Sequence, residues 1–197
     1  MAATPTLYRR DDEDRLLYRE AWTISGGVIE HSGRVGTTGR QPVRPTGRKS
    51  ADGATAQQVL ERFEAAARAD GFSEIPDEER GWVVLQHWAF TADLSHPEDE
   101  RLFTGMWDAL DGYLRWRGVG ECDGNDVGGT PPGRPDGVVV NWFCPVVDVD
   151  LGVKALRSFA RSVRMGSLHV IGRREPGEDS DYVLAYSPRK SDTTFTL

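Results

Sequence analysis

The residues best suited to chemistry lie in the stretch 31–50, which has the sequence HSGRVGTTGRQPVRPTGRKS. It contains four of the chain's 22 glycines and five basic side chains, and it has no acidic residue. The basic residues are Arg34, Arg40, Arg44, Arg48 and Lys49. Guanidinium groups match phosphate oxygens with paired hydrogen bonds, and such contacts dominate nucleic-acid interfaces. The stretch therefore predicts a phosphate-contacting surface, with DNA or RNA as the expected partner.

Two nucleotide-binding motifs are excluded by spacing. A P-loop requires G-x-x-x-x-G-K-[ST], whereas position 42 is Pro and position 48 is Arg. The dinucleotide motif G-x-G-x-x-G also does not fit. One structural alternative stays open, in which Gly33, Gly36 and Gly39 only supply positive φ angles to a tight, twisted hairpin.

Charge is distributed unevenly along the chain, whose net charge is −7. Residues 1–75 contain 11 basic and 11 acidic side chains, and subtraction from the totals of 24 and 31 leaves 13 and 20 for residues 76–197. The second half therefore carries the whole net charge. This distribution disfavours indiscriminate binding to polyanions, but it allows a local basic face on the first half.

Composition also indicates the cellular compartment in which the protein is expected. No apolar run approaches the roughly 18–20 residues that cross a bilayer, and the first residues lack the apolar region of a signal peptide. The two cysteines, Cys122 and Cys144, are too few for a disulfide framework and fit a reducing compartment. We expect a cytoplasmic protein without a membrane partner, in which these cysteines pack as neighbours on paired strands.

The first half has the pattern of an antiparallel meander followed by one helix. Residues 16–24 are rich in β-formers and end at a turn of Ser and two Gly, after which the strand pattern resumes over 28–31. A helix is predicted over 55–70, with Thr55 and Gln58 as a capping box and Gly71 after its end. Its apolar face is predicted to contain Val59, Phe63, Ala66 and Ala67.

The second half predicts a ferredoxin-like domain over residues 81–190, with a polar boundary at 76–80. Strands are expected over 82–90, 118–122, 138–147, 168–171 and 182–186. Helices are expected over 95–114 and 150–164, a loop over 123–137, and a tail over 187–197. The order β-α-β-β-α-β plus one edge strand is the split βαβ arrangement. The predicted fold class is therefore α+β, with two domains.

Residues 1–75 resemble the WGR domain family. The similarity rests on the meander, the sequence GRVGTTGR at 33–40, the amphipathic helix around 59–67, and Gly71-Phe72 where the family usually ends in Gly-Tyr. Such domains occur in poly(ADP-ribose) polymerases, where they help to bind DNA ends and relay contact to the catalytic domain. They also occur in bacterial proteins that resemble a molybdate metabolism regulator. The resemblance implies a nucleic-acid-binding module.

One position departs from the family. The Trp for which the family is named corresponds to Ser32, while Arg34 is retained. In the polymerases that Trp packs on the nucleotide. Stacking of a base on an aromatic side chain is worth roughly 1–3 kcal/mol per base in single-strand binding, and serine offers no such surface.

Residues 76–197 show no catalytic pattern. His87, His96 and His169 lack metal-ligand spacing, and neither cysteine has an evident His partner. The acidic loop around Asp123 lacks the register of a calcium site. We therefore predict no catalytic residue, no metal and no cofactor. Trp116, between Arg115 and Arg117 at a helix end, is the expected contact for a protein partner.

These observations favour a non-enzymatic bacterial binding protein that contacts nucleic acid through the basic stretch. The alternative is an adaptor or immunity-type protein whose acidic second domain binds a basic protein. The two hypotheses differ in whether affinity for nucleic acid exists and falls steeply with salt.

Overall fold

The chain folds as an α+β protein, which confirms the predicted class. A computed structural model describes residues 2–131, 136–177 and 181–197. The chain divides into two compact units, Met1–Ile75 and Pro76–Leu197. The first contains a four-stranded sheet and the second a five-stranded sheet, and every strand pairing is antiparallel. None of the described helices is long and apolar enough to cross a bilayer.

The first unit is the predicted meander. Its strands are β1 (Leu7–Arg10), β2 (Leu16–Ile24), β3 (Gly27–Arg34) and β4 (Val43–Pro45), and they lie side by side in chain order. A short 3-10 helix (Gly47–Lys49) follows, and then the helix α1 (Ala56–Ala69). The predicted capping box is confirmed, since the side chain of Thr55 accepts from the Gln58 backbone and the Gln58 side chain accepts from the Thr55 backbone.

Helix α1 packs on one face of this sheet. Leu60 is buried against Ala21 and Val28, and Ala67 is buried against Leu7 and Phe72. The helix ends as predicted, because Gly71 has a φ of 84° and the Phe72 amide donates to the carbonyl of Ala67. These apolar contacts of α1 therefore cover one end of the sheet face.

The second unit has the ferredoxin-like topology that the sequence predicts. Its elements are β5 (Gly81–Trp88), α2 (Pro97–Phe103), α3 (Met106–Arg115), β6 (Gly124–Gly128), β7 (Val139–Val146), α4 (Val149–Ser162), β8 (His169–Arg174) and β9 (Val183–Tyr186). The strand order is β6-β7-β5-β8-β9. Strands β5 to β8 thus form the split βαβ sheet, and β9 is the additional edge strand.

Three local predictions in this unit are wrong. The single helix expected over 95–114 is interrupted, because Gly105 has a φ of 71° between α2 and α3. The strand expected over 118–122 contributes only a bridge from Gly120 to Val146, and the adjacent strand β6 lies inside the predicted loop. The helix expected over 150–164 instead spans Val149–Ser162, since the Asp148 carboxylate caps it by accepting from the Leu151 amide at 2.9 Å.

The central strand β5 is buried on both faces. Val83, Val84 and Leu85 are each fully buried. Val83 lies beside Gly152 of α4, whereas Val84 packs with Phe195. The predicted tail over 187–197 is therefore wrong in part, because Phe195 belongs to the core.

Candidate nucleic-acid interface

The first unit contains an open cleft of about 750 Å³ beside helix α1. Strands β2 and β3 contribute to its floor, α1 forms one wall, and the segment from β4 through the 3-10 helix closes it. Polar and apolar residues both line it: Arg19, Glu30, Ser32, Pro42, Arg44, Pro45, Lys49, Ser50, Ala51, Asp52, Val59, Arg62, Phe63 and Ala66.

Strand register places the basic side chains on the face that carries α1. Arg19 on β2 lies opposite Ser32 on β3, and Ser32 forms a bridge with Arg40. Arg44 on β4 lies opposite Val28, which packs beneath α1. Because directly opposed residues of an antiparallel pair share a face, Arg19, Arg40 and Arg44 project to the side of the sheet that bears the cleft.

The lining has an excess of positive charge. It contains four cations, Arg19, Arg44, Lys49 and Arg62, against the two acids Glu30 and Asp52. These charges come from three separate parts of the chain: β2, the segment 44–49, and α1. A surface on which cations converge from distant segments attracts polyanions more strongly than the overall charge of the protein suggests.

Ion pairs hold two of the cations in weak, exchangeable contacts. Arg44 Nε is 3.0 Å from the Glu30 carboxylate, and Arg62 Nη1 is 2.5 Å from the Asp52 carboxylate. Both arginine side chains are more than 60% exposed. Exposed pairs of this kind are worth at most about 1 kcal/mol, so a phosphate can displace the carboxylates.

The carboxylate of Asp52 remains ionised across the physiological range. Hydrogen bonds from Ser50, Arg62 and the Ala54 amide lower the pKa of Asp52 well below its usual range. The negative charge therefore stays in the cleft and orients Arg62 while no ligand is bound.

Arg19 is the most firmly positioned cation of the cleft. Its guanidinium lies 4.5 Å from the centre of the Phe72 ring, and Nη1 is 2.6 Å from the Asp70 carboxylate. Stacking on an aromatic ring and pairing with a carboxylate both restrict the rotamers of the side chain. Little further conformational entropy is lost if Arg19 then contacts a ligand.

The helix wall gives the cleft an apolar side. Val59, Phe63 and Ala66 were predicted to form the buried face of α1, yet all three line the cleft, and Ala66 is exposed. The predicted face is confirmed in part, since Ala67 is buried and Val59 and Phe63 also pack against the core cluster of Leu60, which the pattern did not indicate. Phe63 thus supplies an aromatic surface in the cleft whose floor includes Ser32.

Two of the five basic residues predicted as the site line the cleft, and three do not. Arg44 and Lys49 line the cleft. Arg34 at the end of β3, Arg40 beside Ser32, and Arg48 in the 3-10 helix are all exposed but lie outside the lining. Arg19 and Arg62 also line the cleft, but the sequence did not indicate them because they lie outside the basic stretch 31–50. Arg62 lies three residues after Val59, and this helical spacing is the signal that could have found it.

The glycine-rich loop packs on the opposite face of the sheet. The Tyr18 hydroxyl donates to the carbonyl of Thr37 at 3.1 Å. A Cβ atom on Gly39, whose φ is 61°, would lie 2.4 Å from the carbonyl oxygen of Ser32. Gly36 also has a positive φ of 89°, whereas Gly33 does not. Gly33 is required for a different reason, since its Cβ would meet the Gly39 backbone at 2.7 Å.

His31 joins this loop to the sheet from a fully buried position. Its Nδ1 atom is 2.8 Å from the Glu20 carboxylate, and its Nε2 atom is 2.9 Å from the Thr38 carbonyl. Burial acts to lower the pKa of His31, but the hydrogen bonds to Glu20 and Thr38 outweigh burial and raise the pKa above its ordinary value. The two acceptors favour the imidazolium form of His31, and the Tyr18 hydroxyl also lies 2.8 Å from the Nε2 atom.

In the second unit, the predicted partner contact Trp116 follows helix α3 and is 38% exposed. Its neighbours are engaged within the unit. Arg115 pairs with Asp111 and Glu121, and the Arg117 guanidinium lies 3.5 Å from the centre of the Tyr113 ring. The accessible surface at this position therefore combines the indole of Trp116 with the Arg115 side chain, which is 56% exposed.

The buried titratable groups of the second unit have structural roles. His87 Nε2 is 3.2 Å from the Asp99 carboxylate, which also accepts from the Phe90 amide at 2.7 Å, and this links β5 to α2. Burial, followed by contact with Cys122, raises the pKa of the Cys144 thiol. The two cysteines are thus neighbours as predicted, but only Cys144 lies on a strand, since Cys122 precedes β6. Among the described residues, no group of three His, Cys, Asp or Glu side chains could hold a metal ion.

Comparison with known proteins does not extend these observations. No protein-family model matches the chain, and no curated protein or solved structure matches it significantly.

Proposed function

We propose that the first unit is a nucleic-acid-binding module whose cleft beside α1 contacts the phosphate backbone. The observation that carries this proposal is the convergence of Arg19, Arg44, Lys49 and Arg62 in one open cleft. The resemblance of residues 1–75 to WGR domains supports the same function. We further propose a non-enzymatic bacterial protein of the cytoplasm, in which the second unit modulates binding or recruits a partner.

In this mechanism the cations of the cleft have two roles. Arg44, Lys49 and Arg62 contact phosphates, and the carboxylates of Glu30 and Asp52 give up their partners as the phosphates enter. Arg19, held by Asp70 and Phe72, contacts phosphate in a fixed position. Such contacts bind nucleic acid without selecting a base sequence.

Phe63 is the candidate stacking surface. Ser32 removes the aromatic side chain that the related domains use, but Phe63 lines the same cleft from the helix. Bases that leave a duplex stack on aromatic side chains, whereas paired bases do not expose their faces. We therefore expect single strands or unpaired ends to bind more tightly than blunt duplexes.

The experiment measures binding of short single- and double-stranded DNA and RNA over a range of salt concentrations. Wild type is compared with the triple variant Arg44→Gln, Lys49→Gln, Arg62→Gln. The logarithm of the wild-type affinity should fall linearly with the logarithm of salt concentration, and the slope should be about two to three units shallower in the variant. At low salt the variant should bind roughly 10- to 100-fold more weakly.

A matched control removes the same charge elsewhere in the first unit. Arg10→Gln, Arg15→Gln and Arg68→Gln also change the charge by three, and none of these side chains lines the cleft. The control should change affinity by less than about threefold at moderate salt, where long-range effects are screened. Equal losses in both triple variants would exclude the cleft as the site. No binding by wild type at low salt would exclude the function and favour a basic protein partner for the acidic unit.

A further inference from the structure

One face of the second sheet is covered by a segment of the chain that adds no strand to it. Residues 193–197, all within the described part of the chain, belong to no helix or strand. They cross the sheet on the side of Val84 and Val170. Val84 of β5 lies opposite Gly172 of β8, and Val170 of β8 lies opposite Gln86 of β5. Of these five residues only Phe195 is buried. The segment therefore resembles a bound extended peptide more than an element of the fold.

The sheet provides a fitted pocket for the phenyl ring. Phe195 is 8% exposed and packs on Val84 and Val170, with Tyr182 at a ring distance of 6.2 Å. Gly172 forms part of the pocket floor, since a Cβ at that position would lie 2.7 Å from the ring of Phe195. The absence of a side chain at Gly172 thus creates the space that the ring occupies.

A row of polar side chains crosses the same face. The Gln86 side-chain amide donates to the Thr196 carbonyl at 2.8 Å and to the Asn141 side chain at 2.9 Å. Asn141 in turn donates to the Asp126 carboxylate at 2.7 Å. A hydrogen bond from a fixed donor to a backbone carbonyl is a type of contact with which proteins bind extended peptides.

A third contact lies in the turn at 188–191, just before this segment. The Arg189 guanidinium is 3.6 Å from the centre of a Trp88 ring and pairs with Asp192 at 2.6 Å. Cation–π contacts with Trp are the strongest of their class. Residues 187–197 are therefore held at two separated positions, by Arg189 on Trp88 and by Phe195 in its pocket.

Between these positions the fit is incomplete. A cleft of about 380 Å³ remains beside the segment, bounded by Gln86, Trp88, Val139, Val170 and residues 191–197. This cleft is open at the surface, so an occupant with larger side chains has room beside the segment.

We propose that this face is a docking surface for an extended peptide of a protein partner, and that residues 187–197 occupy it in cis. The matching peptide carries an Arg for Trp88, a Phe six residues later for the Gly172 pocket, and a carbonyl after the Phe for Gln86. The tethered segment competes with the partner, so that docking requires its displacement. This surface is separate from the cleft of the first unit and does not depend on its function.

The test uses the full chain and a fluorescein-labelled peptide with the sequence of residues 187–197. Phe195→Ala removes the internal competitor but leaves the pocket intact. A short tether gives an effective concentration on the order of 1 mM, so the labelled peptide is titrated to about that concentration. We expect fluorescence anisotropy to show at least tenfold tighter binding to Phe195→Ala than to wild type.

Two matched variants test the pocket itself. In Phe195→Ala, Gly172→Ala the added methyl group occupies the position of the ring, so peptide binding should be lost. Leu197→Ala changes a residue that is 58% exposed and should behave as wild type. A peptide in which the Phe is replaced by Ala should bind none of the proteins.

Either of two results would overturn the proposal. One is that Phe195→Ala is folded by circular dichroism, with residues 187–197 exchanging amide hydrogens freely, yet binds no peptide at 1 mM. The other is equal peptide binding with and without Gly172→Ala. If Phe195→Ala does not fold, Arg189→Gln serves instead, because it weakens the contact with Trp88 and retains Phe195. The same tenfold gain is then expected, and unchanged binding relative to wild type contradicts the proposal.

Discussion

His31 illustrates how a single buried residue fixes the shape of the glycine-rich loop. A neutral imidazole has one donor and one acceptor nitrogen, but Glu20 and the Thr38 carbonyl both require a donor. The protonated ring satisfies both acceptors, and the Glu20 carboxylate balances its charge. The loop over 35–40 thus depends on the contacts of His31, whose Nε2 atom also lies 2.8 Å from the Tyr18 hydroxyl, and the raised pKa of His31 favours the protonated ring.

This dependence predicts how stability changes with pH. Because the folded-state pKa of His31 is raised, its contribution is complete below the unfolded pKa of about 6.5 and is lost as the pH rises through the folded pKa. Glu20→Gln removes the charge that favours the imidazolium ion, so this loss should shift to lower pH. The measurements are the His31 titration by NMR and urea unfolding between pH 5 and 9.

The same variant should also reduce stability at low pH. A hydrogen bond to a charged group contributes about 1.5–3 kcal/mol, so Glu20→Gln should destabilise the first unit by an amount of this order at pH 6. Thr6→Val provides a control, since it removes only the hydrogen bond from Thr6 to Glu20. An identical pH profile for Glu20→Gln and wild type would contradict the assignment of His31 as the imidazolium ion.

At the residue scale, the sequence predicted two cations of the cleft lining, Arg44 and Lys49, and did not predict the other two, Arg19 and Arg62. Arg44 and Lys49 were recognisable because they lie in a basic stretch without acids. Arg19 was not, since its position in the cleft depends on the pairing of β2 with β3 and on the ring of Phe72. Contacts between residues so far apart in the chain leave no local pattern.

Among the elements, the interruption between α2 and α3 shows how one glycine overrides a continuous helical pattern. Phe103, Met106 and Leu110 have helical spacing, and this spacing predicted one helix. Gly105 instead adopts the left-handed conformation with a φ of 71°. The change of direction lets Leu102 and Met106 both become buried on separate helices.

Gly105→Ala should therefore destabilise the second unit for a purely conformational reason. A Cβ at this position would meet no atom within 4 Å, so steric clash makes no contribution. The left-handed conformation costs an alanine roughly 1–2 kcal/mol. Urea unfolding should show a loss of this size, and Gly112→Ala, also without a contact within 4 Å but inside α3, should be neutral or stabilising. If Gly105→Ala leaves the free energy of unfolding unchanged, α2 and α3 can join into one continuous helix.

Elements with strong local signals were predictable, whereas the edge strand β6 was not. The capping box of Thr55 and Gln58 and the glycine after α1 define that helix within a few residues, as the structure confirms. Strand β6 has the sequence GNDVG, whose composition favours a turn. It is a strand because β7 offers an unpaired edge, and that pairing is a property of the folded sheet. The strand order followed from the number and order of elements, since few topologies connect them.

At the scale of the whole molecule, the two units differ sharply in charge. Residues 1–75 are neutral in sum, whereas residues 76–197 carry the net charge of −7. In the proposed function, a nucleic acid is attracted locally by the cations of the cleft and repelled by the net charge of the protein. Repulsion between exposed charges acts over the Debye length, which is about 10 Å at 0.1 M salt and about 30 Å at 0.01 M.

This balance predicts that reducing the acidity of the second unit speeds association with nucleic acid at low salt. Glu78→Gln, Glu79→Gln and Asp108→Asn change exposed side chains and shift the net charge from −7 to −4. Long-range fields act mainly on the association rate, so we expect an increase of about two- to tenfold at 10–20 mM salt that disappears near 0.3 M. Stopped-flow fluorescence with a labelled oligonucleotide measures both rates. An unchanged association rate at low salt, or a change confined to the dissociation rate, would show that the acidic unit does not oppose binding through its net charge.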